Sequence, residues 1–381
     1  MVKRKEGKMQ PLKIIVSGGG TGGHIFPAIA IANAIKAARP DAEFLFVGAE
    51  GKMEMEKVPA AGYKIVGLWI SGFQRKLTVS NLAFPFKVIS SLMRAKKILK
   101  EFKPNAVIGT GGFASGPMLQ MAAKNNIVTV IQEQNSFPGI TNKILSKNVD
   151  RICVAYSGME KYFPKEKILM TGNPIRQDIL TLEGKRARGL EFFGLDATKK
   201  TIVVIGGSLG AKTINESILI CLDTFEKNNI QLVWQTGKAF NDRAQAAVTN
   251  YQGKGIKAFD FIQKMDYLYA VADVVVSRAG ASSISELCVV KKPCILIPSP
   301  NVAEDHQTKN AMALVTYNAA ILIKDVDARE QLCEKVINLI NNEEQCHKLS
   351  ENIAGLAFQD SAKAIANEVL SLINKHKSPS P

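Results

Sequence analysis

The chain has 381 residues, 46% hydrophobic and 22% charged, with a formal net charge of +15. That length and balance predict two globular domains, and no run approaches the roughly 18 apolar residues of a membrane-spanning helix. The opening Met1-Val2-Lys3-Arg4-Lys5-Glu6 has no apolar stretch behind it and does not read as a secretory signal.

Charge is unevenly placed. Residues 1–190 hold 29 Lys+Arg against 13 Asp+Glu, net +16, and residues 191–381 hold 20 against 21, net −1. Such a one-sided excess points to an anionic membrane face or a phosphorylated ligand, beside the plainer reading of a solvated basic surface. No helix-turn-helix or RNA-binding signature appears, so nucleic acid is not expected. The cysteines, at 153, 221, 288, 294, 333 and 346, form no CxxC pair and read as reduced thiols of a cytoplasmic protein.

Leu12-Lys13-Ile14-Ile15-Val16-Ser17 reads as a buried strand and runs into Gly18-Gly19-Gly20-Thr21-Gly22-Gly23-His24, which opens a helical pattern. A strand, glycine turn and helix leave backbone N–H groups unpaired at the helix start, which makes an anion site. Gly18-x-Gly20-x-x-Gly23 is also the dinucleotide fingerprint. The acidic partner a dehydrogenase needs would be Glu50, after strand 44–48, which comes somewhat late. His24 is either a helix-start residue in water or a titratable group for acid–base work beside the anion site.

Segment 72–103 mixes apolar and basic side chains, with Leu82, Phe86, Ile89 and Met93 on one helical stripe. The stripe either buries against a sheet or lies on an anionic lipid surface. Strand 106–109 leads into Gly109-Thr110-Gly111-Gly112-Phe113-Ala114-Ser115-Gly116-Pro117, where glycines permit close approach to a ligand. Strand 127–131 leads into Gln132-Glu133-Gln134-Asn135 at the same carboxyl-end edge, where doubly wound sheets bind ligands.

Gly172-Asn173-Pro174-Ile175-Arg176 reads as a break, because the residue before proline avoids helix. Strand 201–205 starts anew and enters Gly206-Gly207-Ser208-Leu209-Gly210-Ala211. Beyond strand 231–235, strand 273–277 leads to a third loop, Ser277-Arg278-Ala279-Gly280-Ala281-Ser282-Ser283. Glu286 in the helix that follows either takes both hydroxyls of a ribose or closes a capping box with Ser283. After strand 293–298, Asp325-Val326-Asp327 matches the DxD of some metal–nucleotide sites but reads as a helix cap. No His/Cys/Asp/Glu cluster has metal spacing, and neither a GxSxG elbow nor a Walker GxxxxGK[ST] is present. A last amphipathic helix, about Ser361–Ile373, could return to the first domain, and the tail from His376 reads as disordered.

Alternating strands and helices predict an α/β protein with two doubly wound, Rossmann-like domains facing across a cleft. The expected domains are 1–172, joined by a C-terminal helix at about 358–376, and 173–357.

These motifs together resemble the MurG family, peripheral membrane glycosyltransferases that complete the lipid-linked disaccharide of peptidoglycan. The likeness rests on GGGTGGHIFPAIAIA at 18–32, GTGGFASGP at 109–117, EQNSFPGITNK at 133–143, GNPIR at 172–176, GGSLGAKTIN at 206–215, SRAGASSISEL at 277–287 and DHQTKNA at 305–311. A departure is Gln132, where the family usually has His. The resemblance implies a GT-B fold, with a lipid acceptor in the first domain and UDP-N-acetylglucosamine in the second. It implies transfer of N-acetylglucosamine, with inversion, to the C4 hydroxyl of undecaprenyl-pyrophosphoryl-N-acetylmuramoyl-pentapeptide (lipid I), giving lipid II.

Carried over by motif, Thr21, Gly22, Gly23, Asn135, Arg176, Ser208, Ile262, Ala281, Ser282, Ser283, Ile284, Ser285, Glu286 and Gln307 would contact the donor. Ile262 would offer backbone groups to uracil, and Glu286 would hold the ribose. His24 is the candidate base or the residue that orients the acceptor, and Glu133 is the second candidate. No metal or other cofactor is expected, because N–H donors at a helix start can stabilise a leaving diphosphate. The implied setting is the cytoplasmic face of the bacterial inner membrane, with its anionic leaflet and other cell-wall enzymes as partners. Alternatives are a same-fold transferase acting on diacylglycerol, a nicotinamide-dependent oxidoreductase using Gly18–Gly23, and a non-catalytic membrane-bound scaffold.

Overall fold

The structure, a computed structural model, describes residues 11–71, 84–207 and 210–377. The chain forms two compact units, one running to Ile175 and resuming at Asp360, the other spanning Arg176–Gln359. The sequence-based boundaries, 172/173 and 357/358, lie a few residues before these.

In the first unit, β1 (Lys13–Gly18), α1 (Gly22–Ala38), β2 (Glu43–Ala49), α2 (Glu54–Ala60), β3 (Ile65–Leu68) and α3 (Phe84–Phe102) are followed by β4 (Ala106–Gly111) and α4 (Ser115–Lys124). Then come β5 (Val128–Glu133), α5 (Ile140–Leu145), β6 (Arg151–Val154) and β7 (Ile168–Met170). The strands form one parallel sheet in the order β3-β2-β1-β4-β5-β6-β7. Ile14, Ile15 and Val16 have no exposed surface, as expected of a central strand covered on both faces. Ile14 and Val16 pack with α1, whereas Ile15 packs with Ile98, Leu99 and Met118 on the other face.

The second unit holds α6 (Lys185–Phe193), β8 (Thr201–Ile205), α7 (Lys212–Lys227), β9 (Gln231–Gln235), α8 (Asn241–Val248), β10 (Ile256–Phe259) and α9 (Met265–Val271). It continues with β11 (Val274–Ser277), α10 (Ala281–Val290), β12 (Cys294–Leu296), α11 (His306–Val315), β13 (Ile321–Leu322), α12 (Ala328–Asn341) and α13 (Glu343–Ala354). Its parallel sheet runs β10-β9-β8-β11-β12-β13, the same winding as the first. Trp234 and Phe225 anchor its core with Leu332 and Val336 of α12.

In each sheet the winding reverses beside the first strand, between β1 and β4 and between β8 and β11. The crevice at that reversal is where an open parallel sheet receives a ligand. All the glycine loops of the sequence leave from those strands.

α14 (Ser361–Lys377) belongs to the first unit and packs on α1. Burying Ile365, Val369 and Ile373 there contributes about 1.5–3 kcal/mol per side chain. The helix continues through Lys377, and His376 Nε2 bonds the Asn126 carbonyl at 2.6 Å, so these first two residues of the expected disordered tail are helical; residues 378–381 lie outside the described residues. All cysteines are free, with Cys153, Cys221, Cys288 and Cys294 buried. Burial raises the thiols of Cys153 and Cys288 to about 12, so neither is a thiolate nucleophile.

Candidate active site

In the first unit the site gathers at the ends of β1, β4 and β5. Thr21 has extended backbone (φ −146°, ψ 158°) and caps α1 without a side-chain bond, and its carbonyl accepts from the N–H groups of His24 (3.1 Å) and Ile25 (3.2 Å). The N–H groups of Gly22 and Gly23 lie in the first turn, where no intrahelical carbonyl reaches them. Gly20 differs, because its N–H donates to the buried carboxylate of Glu54 at 2.8 Å. A carboxylate beneath the loop is the wrong sign for a dinucleotide pyrophosphate, which argues against the dehydrogenase reading.

His24 is half-buried, and its Nδ1 lies 2.9 Å from the Gly19 carbonyl. A carbonyl only accepts, so Nδ1 carries the proton in the neutral ring and Nε2 keeps a lone pair. Nε2 faces Gly111 (φ +103°), where an added Cβ would stand 2.9 Å away. Only glycine leaves the imidazole that space. Thr110 Oγ1 donates to the His24 carbonyl at 2.8 Å and ties β4 to this turn.

Glu133 is placed differently from what a second base needs. Its Oε1 accepts from the Asn135 N–H (3.0 Å) and Nδ2 (3.2 Å), and its Oε2 accepts from the Gly139 N–H (3.1 Å) and Asn142 Nδ2 (2.9 Å). These donors occupy the lone-pair positions of a carboxylate, so Glu133 shapes the loop that carries Asn135. Gln132 is buried too. Its Nε2 donates to Asn173 Oδ1 at 2.8 Å, its Oε1 accepts from Gln134 Nε2, and Asn173 Nδ2 donates to the Gln134 carbonyl at 3.0 Å. This amide network holds the break at 172–174 against the end of β5.

In the second unit the site gathers around α10. Gly280 is its N-cap in extended backbone (φ −67°, ψ 143°), and no side chain caps the helix. Ile284 N–H bonds the Gly280 carbonyl at 2.9 Å, so the N–H groups of Ala281, Ser282 and Ser283 are left at the positive end of the helix. The capping box is not formed, since Glu286 turns away from Ser283. Its Oε1 accepts from Arg176 Nε at 3.0 Å and its Oε2 from the Tyr269 hydroxyl at 2.9 Å.

Glu286 is 8% exposed and Tyr269 1%. Burial pushes the Glu286 carboxyl above the usual range, against the pull of Arg176 and the Tyr269 bond. Burial and the adjacent Glu286 hold the Tyr269 hydroxyl well above its ordinary value, so it stays a donor. A carboxylate accepts at about four positions; two are used here, and a vicinal diol could take the others.

Ile284 is buried in the core, and the Ser285 hydroxyl donates to the Ala281 carbonyl at 3.0 Å, so these side chains serve the helix. The Ile262 N–H donates to Gln235 Oε1 at 3.0 Å, so this N–H is engaged within the unit rather than offered to a base. Gln307 Oε1 accepts from the Ser299 N–H at 2.8 Å. Ser208 lies outside the described residues. Asp325 pairs with Arg278 and accepts from Thr213 Oγ1 at 2.9 Å, which explains the DxD match as structure. Among the described residues no His/Cys/Asp/Glu group is arranged to hold a metal ion.

Sequence reasoning missed Glu54, Tyr269 and Asn173. Each acts on a residue distant in the chain, and no local spacing signals that.

The glycosyltransferase family 28 N-terminal domain matches residues 14–154, and the family's C-terminal domain matches residues 201–365. The chain is similar to proteins named UDP-N-acetylglucosamine–N-acetylmuramyl-(pentapeptide) pyrophosphoryl-undecaprenol N-acetylglucosamine transferase. That of Parabacteroides distasonis is 53% identical, covering 96% of this chain and 100% of the relative. That of Cytophaga hutchinsonii is 55% identical, covering 96% and 98%. Among solved structures, Acinetobacter baumannii MurG superposes with a TM-score of 0.75 at 23% identity, covering 95% of this chain and 100% of that one. A UDP-GlcNAc 2-epimerase of Neisseria meningitidis bound to UDP-GlcNAc superposes with a TM-score of 0.65 at 13% identity, covering 94% and 100%, a likeness of fold alone.

Proposed function

Because the chain belongs to glycosyltransferase family 28, we propose that it moves N-acetylglucosamine from UDP-N-acetylglucosamine to the C4 hydroxyl of lipid I, giving lipid II for peptidoglycan. The carrying observation is that relatives more than half identical over nearly the whole chain are named for this reaction. Nothing comparable favours a diacylglycerol acceptor.

His24 Nε2 takes the proton of the C4 hydroxyl as its oxygen attacks the anomeric carbon. The bond from that carbon to the diphosphate breaks on the opposite face, and UDP leaves with the electron pair. The N–H groups of Ala281, Ser282 and Ser283 stabilise the charge on the diphosphate, and no metal is required for that. Glu286, braced by Arg176 and Tyr269, accepts from the ribose hydroxyls. Thr21, Gly22, Gly23, Asn135 and Gln307 complete the donor contacts.

The test is transfer of radiolabelled N-acetylglucosamine to a short-chain lipid I analogue in EDTA. Labelled disaccharide-lipid at an undiminished rate is expected. Label appearing only in diacylglycerol would overturn the acceptor, and a rate abolished by EDTA would overturn the metal-free reading.

We further propose that the protein works at the anionic cytoplasmic face of the membrane, where it meets lipid I and other cell-wall enzymes. Among the described residues no helix is long and apolar enough to cross a membrane. The stripe on α3 does not bury against the sheet, since Phe86 is 69% exposed, Ile89 55% and Met93 64%; Leu82 lies outside the described residues. The face that packs is Ser91, Ala95, Ile98 and Leu99, because the small residues allow close approach. Exposed Arg94, Lys96, Lys97 and Lys100 flank the outward stripe, the pattern of an interfacial helix. Replacing Phe86, Ile89 and Met93 together by serine is expected to cut binding to anionic vesicles at least tenfold, given about 1.5–3 kcal/mol per buried side chain. Turnover of a water-soluble acceptor should not change. Unaltered flotation with such vesicles would remove α3 from the membrane contact.

A further inference from the structure

We propose that Glu54 sets the tautomer of His24 through a single peptide group, which makes it a positioning residue for proton transfer; this rests on reading His24 as the base. Glu54 opens α2 and is 1% exposed. Its Oε1 accepts from the N–H of Ala49 at 2.9 Å, and its Oε2 from the N–H of Gly20 at 2.8 Å. The N–H of Gly20 and the carbonyl of Gly19 are two ends of one peptide unit. That carbonyl is the acceptor 2.9 Å from His24 Nδ1. One peptide is therefore gripped by a carboxylate at one end and by the imidazole at the other.

This peptide has unusual freedom, because Gly18, Gly19 and Gly20 follow one another and Gly20 sits at φ +84°. Turned over, it would aim its carbonyl at Glu54 and its N–H at Nδ1. The imidazole would then accept at Nδ1 and carry its proton on Nε2, the nitrogen that must receive a proton from the acceptor hydroxyl. An ionised carboxylate only accepts. It repels the turned carbonyl and keeps the peptide in the productive orientation. The bond to a charged acceptor also polarises the peptide and strengthens its carbonyl toward Nδ1–H. The site has no slack, since a Cβ at Gly19 would stand 2.1 Å from Glu54 Oε1 and one at Gly48 2.4 Å from its Cγ.

Glu54→Gln keeps the shape but supplies a donor, so the turned peptide gains a partner. Transfer kcat is expected to fall about 10- to 100-fold, with the donor KM within about twofold. In nitrogen-15 spectra of the full chain, with the His24 signals assigned by their loss in His24→Gln, the native ring is expected as Nδ1–H and the variant as a mixture with Nε2–H. A native ring found as Nε2–H, or a variant that keeps both tautomer and kcat, overturns the proposal. If Glu54→Gln does not fold, Glu54→Asp, still an acceptor only, should keep the native tautomer and Glu54→Ala should lose it; the same tautomer in both overturns it. Native kcat in His24→Gln would instead overturn the base reading and leave the tautomer result standing.

Discussion

Replacing Glu286 with alanine is expected to raise the KM for UDP-N-acetylglucosamine by about 100-fold and to leave the acceptor KM where it was. The carboxylate already accepts from Arg176 and Tyr269 at 3.0 and 2.9 Å, which fixes its plane and leaves its other lone pairs for the ribose. Two bonds to a charged acceptor, at about 1.5–3 kcal/mol each, cover that loss. The variant also strips the buried Tyr269 hydroxyl of its acceptor, at about 1–3 kcal/mol of stability, so a thermal melt must accompany the kinetics. Glu286→Gln restores that acceptor and should bind the donor better than the alanine variant. The pH dependence has a definite sign. Burial raises the Glu286 carboxyl above its usual range, so as pH falls into that range the group takes a proton and loses an acceptor position. The donor KM should therefore climb on the acid side and be flat above it. A folded Glu286→Ala protein with a native donor KM would remove the ribose role.

His24→Ala is expected to lower kcat by about 10²- to 10⁴-fold, the range for loss of a positioned general base, with small changes in either KM. The geometry supports the split between the two constants. Nδ1 is committed to the Gly19 carbonyl at 2.9 Å, and the Cδ2–Nε2 edge of the ring lies against Gly111, where only a glycine leaves it room. A group held in this way gains most when a proton moves. Steady-state rates on a soluble acceptor decide it, and a rise in KM at native kcat would make His24 a binding residue. Glu133 offers no substitute, because its oxygens are filled by Asn135, Gly139 and Asn142.

Much of the fold was legible because parallel strands are buried on both faces and read as apolar runs. Thr201–Ile205 and Gln231–Gln235 form as expected from sequence. Short edge strands such as Ile321–Leu322 carry too little pattern to be seen that way. The loop before α10 was legible as a strand, a glycine and a helix start. Its alternatives were not separable, since Ser283-x-x-Glu286 is equally a capping box in one dimension. Likewise the stripe of Phe86, Ile89 and Met93 has helical period whichever way it faces, and only packing by Ser91 and Ala95 turned it outward.

By itself the sequence determined two doubly wound sheets, glycine loops at the carboxyl ends of their strands and a basic first half, because period, glycine spacing and charge are local properties of the chain; that those loops stand at the switch points came from the strand order. The tertiary structure alone decided the direction in which each polar side chain works. Glu286 faces Tyr269 and Arg176, Glu54 reaches back to Gly20, Glu133 is spent on its own loop and Asp325 on Arg278. A carboxylate's chemistry depends on which donors surround it at about 3 Å, and those donors come from segments that only folding brings together.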